Sequence, residues 1–410
     1  MDAKIRPLAI WALGATQIIG YGTVYYSFSV LAPAISESFG WSAQWIYAAL
    51  SVSLLAGGLV SPIAGQMIDR FGAGHTMTAG SILVALALGL AAIAPSGWAY
   101  AGALILMEIL ATLVLYASAF AALVQIGGHS AQRSITHLTL IAGFASTLFW
   151  PLTSWLLSTI DWRATYLVYA ALNLVVCAPL HWWLGSLANS PETHLTENVV
   201  PAPTASARPP ILFALLMCGF AVEGFTLSGI LMHIAPMLDT LGLGGTGIII
   251  TTLFGPAQVL SRLVNMMFGA GLRQVHLAII TSMLPPLAVA VLATTAPSAI
   301  GGVAFAILLG LGSGLTSIIS GSLPLELYGR NRYGTRLGWL SSSRQIASAV
   351  APFILALGMT SVGITMSLAG VVALGIAGVA IFALVAVFAD VRSAPGAFRS
   401  ETPMDGPRAQ

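Results

Sequence analysis

Gly65-Gln66-Met67-Ile68-Asp69-Arg70-Phe71-Gly72 is a polar break between two long apolar runs. Only 7% of the residues are charged, so an adjacent acid and base there stand out. The flanking runs each reach the roughly 20 residues that a helix needs to cross a bilayer. The rest of the chain has the same character. Of 410 residues 57% are hydrophobic, and mean hydropathy is +0.92. No single water-soluble core could hide that much apolar surface, so lipid is the expected solvent.

Twelve such segments can be marked outward from the break, at approximately 8–35, 43–67, 76–95, 98–125, 133–159, 163–187, 210–241, 244–269, 274–295, 298–325, 333–360 and 363–389. Turn chemistry separates them, as at Gly40-Trp41-Ser42, Pro95-Ser96-Gly97 and Ala296-Pro297-Ser298. Residues 188–209 differ, holding Pro191, Pro201, Pro203 and Pro209 with little that could pack, and read as a flexible linker. The expected organisation is therefore a six-helix bundle at 1–187, a cytoplasmic linker at 188–209, a second bundle at 210–390 and a disordered tail at 391–410. Lys4, Arg6, Arg70, Arg133, Arg208, Arg273, Arg330, Arg332, Arg336, Arg392, Arg399 and Arg408 gather on one side and Arg163 alone on the other. That bias predicts cytoplasmic termini. Trp41, Trp45, Trp98 and Trp162 fall near outer ends, where indoles commonly anchor a helix in the interface.

Other classes of function find little support. A net charge of +2 without a basic patch gives no reason to expect nucleic acid. Cys177 and Cys218 lie inside apolar runs, so neither a disulfide framework nor a metal cluster is expected. Gly310, Gly312 and Gly314 sit within an apolar helix and read as helix-packing positions, not as a nucleotide loop. No cofactor is expected, and no pattern of catalytic residues points to an enzyme. His137, His181 and His233 fall near helix ends and read as hydrogen-bonded interfacial side chains. Met1 to Arg6 precede an apolar run without a cleavage site of small residues, which reads as an uncleaved first helix.

Glu108, Glu223, Arg262 and Arg344 are the charges left inside spans, on segments four, seven, eight and eleven. Each costs roughly 2.5–3.5 kcal/mol at mid-bilayer unless it faces a polar cavity or a partner. Helical spacing groups their neighbours: Glu108 with Thr112 and Tyr116, Gln17 with Tyr21 and Tyr25, Ser341 with Arg344 and Ser348, Gln258 with Arg262. Polar stripes on apolar helices suggest a watery cavity, or hydrogen bonds that hold helices together. For the arginines the cavity is the better reading, because a permanent cation has no neutral form.

The spacing G-x-x-x-D-R-x-G in Gly65–Gly72 resembles the signature of the major facilitator superfamily, which lies between helices two and three. The resemblance implies an all-α membrane protein of twelve transmembrane helices in two pseudo-symmetric bundles that transports by alternating access. It makes Gly65, Asp69, Arg70 and Gly72 a conformational gate, with Asp69 meeting the N-terminus of segment eleven. Family members follow the second glycine with basic residues; here stand Ala73, Gly74 and His75.

Further motifs resemble the monocarboxylate-transporter and oxalate/formate-exchanger branch: Phe39-Gly40-Trp41-Ser42, Tyr116, Arg133, Pro151, Trp162-Arg163, Leu323 to Gly329 and Gly338. That branch carries an Asp-x-x-x-Arg pair on helix eight, and Gln258 to Arg262 keeps the arginine but has an amide for the acid. The resemblance implies a small organic anion, a mono- or dicarboxylate, held by Arg262 and Arg344 with Gln258, Gln17, Tyr21, Tyr25 and Tyr116 around it. Proton coupling would then fall to Glu108 or Glu223. The alternative is a drug or metalloid exporter of neutral or amphipathic compounds, with each glutamate paired to an arginine. The expected setting is the inner (plasma) membrane, as a monomer.

Overall fold

In the computed structural model, residues 7–127, 131–188 and 209–390 are described. The interior of the expected linker and the tail from 391 lie outside them, as do Lys4, Arg6, Arg208, Arg392, Arg399 and Arg408. Among the described residues, twelve helices are long and apolar enough to span a membrane: α1 (Pro7–Phe39), α2 (Gln44–Phe71), α3 (Ala73–Ala92), α4 (Gly97–Gly127), α5 (Ala131–Thr159), α6 (Trp162–Leu187), α7 (Pro210–Ile234), α8 (Gly244–Phe268), α9 (Gln274–Thr295), α10 (Ala299–Tyr328), α11 (Tyr333–Ser361) and α12 (Ile364–Ala389). Chain direction alternates, so Pro7, the α2–α3 turn and Ala389 share one end of the molecule.

Helix packing repeats with an offset of six. In the first bundle α2 packs on α4, α3 on α6 and on α4, and α1 on α5. In the second, α8 packs on α10, α9 on α12 and on α10, and α7 on α11. Contacts between bundles obey the same exchange: α2 meets α11, and α5 meets α8. The bundles are thus related by a pseudo-two-fold axis running between them. Local ties repeat too. Gln125 of α4 accepts from Ala73 N at the start of α3 (2.8 Å), and Glu326 of α10 accepts from Gln274 N at the start of α9 (2.6 Å).

Several spans are not continuous α-helix. A π-turn occupies Tyr21–Tyr26 of α1, where Ser27 N donates to Gly22 O, and another occupies Asn173–Cys177 of α6. Turns interrupt α4 at 112–115 and α5 at 143–144. Such breaks survive in lipid only where other groups satisfy the freed backbone. Gln17 Nε2 does so in α4, donating to Val114 O at 2.8 Å.

Buried apolar clusters show where the bundles meet. The cluster around Ile68, Phe120, Leu123 and Ile135 takes in Tyr333 and Leu337 of α11, and so crosses between bundles at the α2–α3 end. At the opposite end, the cluster of Phe28, Leu104 and Tyr166 belongs to the first bundle and that of Ile230, Leu292 and Phe305 to the second. The bundles are joined at one end and part toward the other.

One expectation about that far end is corrected. Trp45 and Trp98 are exposed there, but Trp162 is only 5% exposed and packs against Phe39, Tyr100 and Tyr166. It is core, and its neighbour explains its place. Arg163 stacks on Trp162 and donates to Ala92 O and Ala94 O, which closes the C-terminus of α3.

Candidate functional site

The four charges inside the spans have unlike surroundings. Arg262 is buried, and its bonds all go to protein. Nε donates to Gly314 O (3.3 Å) and Ser317 Oγ (3.1 Å) on α10, and Nη1 to Thr139 O (3.1 Å) on α5. The last bond joins the two bundles. It depends on the break in α5, where a Cβ on Gly143 would lie 2.2 Å from that nitrogen. Gln258, one turn earlier, donates Nε2 to Ser313 Oγ (2.6 Å) and ties α8 to α10.

Arg344 on α11 is partly buried and makes neither a hydrogen bond nor an ion pair among the described residues. Its stem packs against Gly224 of α7. It lies within electrostatic reach of Tyr21, Tyr25, Tyr116 and Glu223. Tyr116 and Tyr26 are also in reach of Arg262. The tyrosines of the first bundle therefore face both arginines of the second across the gap.

The aromatic wall differs from the stripe expected at a period of 3.6 residues. Gln17 is fully buried and serves α4, while Tyr25 is 49% exposed. In a π-turn residues i and i+5 come into line, so Tyr26 shares a face with Tyr21, their ring centres 6.5 Å apart. Tyr21 packs on Tyr116 (4.7 Å), Tyr116 stacks on Phe120 (5.1 Å) and Tyr26 meets Trp150 of α5 edge-on (5.8 Å). Tyr26 and Trp150 escaped the sequence reading because a local slip in helical phase leaves composition unchanged.

Neither glutamate forms an ion pair or a hydrogen bond with an arginine among the described residues, although Arg344 lies within electrostatic reach of Glu223. Glu108 on α4 is buried with Oε1 unpartnered, within electrostatic reach of Tyr25 and Tyr166. Glu223 on α7 is buried with Oε1 against the Thr316 hydroxyl of α10 and Oε2 unpartnered. Among the described residues there is no group of three or more His, Cys, Asp and Glu side chains fit for a metal. His181 is buried, not interfacial, with Nδ1 2.8 Å from Ser81 Oγ.

At the joined end, Asp69 meets the N-terminus of α11. Oδ1 accepts from Gly334 N (2.9 Å), and Oδ2 from Thr335 N (2.7 Å) and Thr335 Oγ1 (2.6 Å). A carboxylate here satisfies donors that a helix start leaves free. Gly65 lets the helices touch, since a Cβ there would lie 2.2 Å from Gly334 O. Gly72 ends α2 with φ +83°. Arg70 takes no part in this contact; it is exposed and lies over the ring of Phe71. Arg330 Nη2, which the sequence reading placed only by its charge, donates to Val124 O (2.9 Å) and adds a further tie between bundles.

Comparison with known proteins places this geometry. The sequence matches the profile of the Major Facilitator Superfamily over residues 14–352. No curated protein matches it. The fold is similar to that of the human organic anion transporter MFSD10 (TETRAN), at 14% identity and TM-score 0.69, covering 92% of this chain and 98% of that one. It is similar also to the proton:xylose symporter XylE, at 12% identity and TM-score 0.70, with 92% and 96% covered. The transporter FucP in its outward conformation matches at 12% identity and TM-score 0.66, with 94% and 99% covered. At these identities the likeness is one of fold.

Proposed function

The chain belongs to the Major Facilitator Superfamily, and on that premise we propose that it carries a small organic anion, a mono- or dicarboxylate, across its membrane. Transport would proceed by rocking of the two bundles about a site between them. The observation that carries the reading is Arg344: a permanent cation inside a span, partly buried, within electrostatic reach of the first-bundle tyrosines and without a hydrogen bond or ion pair among the described residues. An unpaired guanidinium there calls for an anionic ligand, and its planar fork matches a carboxylate in bidentate contact.

Tyr21, Tyr25, Tyr26 and Tyr116 would complete the pocket with hydroxyl donors and apolar ring faces. Arg262 has a second task, since in this conformation it is spent on the tie to Thr139. It would reach the anion as the bundles reorient. Glu108 is the better-placed proton carrier, because it has an unpartnered oxygen and lies within electrostatic reach of Tyr25, itself in reach of Arg344. Gly65, Asp69 and Gly72 would gate the joined end. With the positive loops on the cytoplasmic side, that end faces inward and the open end outward. We read the protein as a transporter and not an enzyme, a monomer in the inner membrane.

One observation favours the rival exporter of neutral compounds: the internal bonds of Arg262 leave Arg344, of the two arginines inside the spans, as the one without a hydrogen bond among the described residues. The two readings part in a thermal-shift screen of purified protein. A bound ligand at 100 times its Kd adds about 2.7 kcal/mol of stability. Organic acids should raise the unfolding temperature of wild type and leave Arg344→Ala unmoved. Stabilisation by neutral amphipaths alone would support the exporter.

A further inference from the structure

Glu223 lines a small cavity within the second bundle, walled by α7, α9 and α12. The cavity has room for about one water-sized occupant. Its polar lining is all oxygen. Glu223 Oε2 and Thr226 Oγ1, one helical turn apart on α7, are buried and unpartnered. Ser282 on α9 donates its proton to Ile279 O (3.0 Å), so its oxygen keeps free lone pairs. Pro285 and Pro286 follow on the same helix and line the same cavity. Lacking N–H groups, they leave the carbonyls of Thr281 and Ser282 without α-helical donors, and Ser282 lines the cavity.

The first bundle shows that a tie at this register needs no charge. There the link from α1 to α4 is the Gln17 amide on Val114 O; here the link from α7 to α10 is Glu223 on Thr316. The tie to Thr316 therefore does not by itself account for a carboxyl at this position. A buried carboxylate is tolerated when a cation compensates it; Arg344 lies within electrostatic reach but makes no ion pair with it, so the second oxygen is left without a direct partner. The other oxygens present are neutral, and oxygen donors suit hard cations. With one carboxylate in the set, a monovalent ion fits the charge. A sodium ion needs about the room of one water.

We propose that this cavity binds a sodium ion through Glu223, Thr226 and the hydroxyl and carbonyl oxygens of Ser282, in place of the proton that the sequence alone assigns to Glu223. The ion would also act on transport. With Glu223 neutralised, Arg344, whose stem lies against the adjacent Gly224, is left to the anion. That coupling rests on the anion reading of Arg344; the cation site itself does not.

The test needs no transported solute. Purified full-length protein in choline chloride is titrated with sodium chloride, with potassium chloride and choline chloride as ionic-strength controls, and its unfolding temperature is followed. Sodium alone should give a saturable rise, lost in Glu223→Gln. Thr226→Val keeps the carboxylate and should weaken sodium binding about tenfold, the effect of losing one ligand. It keeps the test decisive if the glutamine variant fails to fold. An equal rise in all three salts, or a sodium response unchanged in Thr226→Val, would overturn the proposal. So would stabilisation that follows pH and ignores sodium, which would return Glu223 to proton binding.

Discussion

Arg262 and Arg344 could both be picked out of the sequence, because charge in an apolar span is rare and expensive. Their difference could not. Arg262 is satisfied by a carbonyl of α5 that lies 123 residues away, and no local pattern announces such a partner. Hydrogen bonds from a charged group contribute about 1.5–3 kcal/mol each. Arg262→Gln should therefore loosen the joined end by tenfold or more in population, read as faster alkylation of a cysteine placed at Val124. Unchanged reactivity would show that the bond to Thr139 does not hold the bundles. Asp69 makes a smaller, exposed contribution of about 0.3–1 kcal/mol at the start of α11. Asp69→Asn should slow transport severalfold while the same solutes compete, and an altered set of competitors would deny it a gating role.

The helices themselves were legible to within a few residues, since hydrocarbon thickness sets a minimum apolar length and turn residues mark the gaps. Their irregularities were not. The π-turn at Tyr21–Tyr26 replaces Tyr25 by Tyr26 on the face of Tyr21, and nothing in the run of residue types signals the slip. Likewise Gly65 reads in sequence as a motif position, but its necessity comes from a partner on α11. Adding a Cβ there forces α2 and α11 apart, at about 1–3 kcal/mol. Gly65→Ala should open the joined end and reduce transport. Gly102→Ala, where a Cβ meets nothing within 4 Å, should change neither. Equal behaviour of the two variants in a cysteine-accessibility assay would separate the α2–α11 contact from the conformational change.

At the scale of the molecule, two bundles with the same internal packing meet through contacts that the pseudo-two-fold exchanges. α2 with α11 mirrors α5 with α8, so both sides of the joined end must release together when the bundles rock. The first side is held by Asp69 and the Gly65 contact, the second by Arg262. The gap that opens opposite them is lined by tyrosines from one bundle and arginines from the other, and a ligand binding between bundles would touch both. The central claim is that this ligand is an anion held by Arg344. It is tested most directly by carboxylate uptake into proteoliposomes containing wild type or Arg344→Ala, each checked for a folded, monodisperse preparation. The account predicts saturable uptake by wild type and loss of at least about 90% in the variant, a tenfold fall that corresponds to about 1.4 kcal/mol of binding. Uptake by Arg344→Ala at the wild-type rate would contradict it.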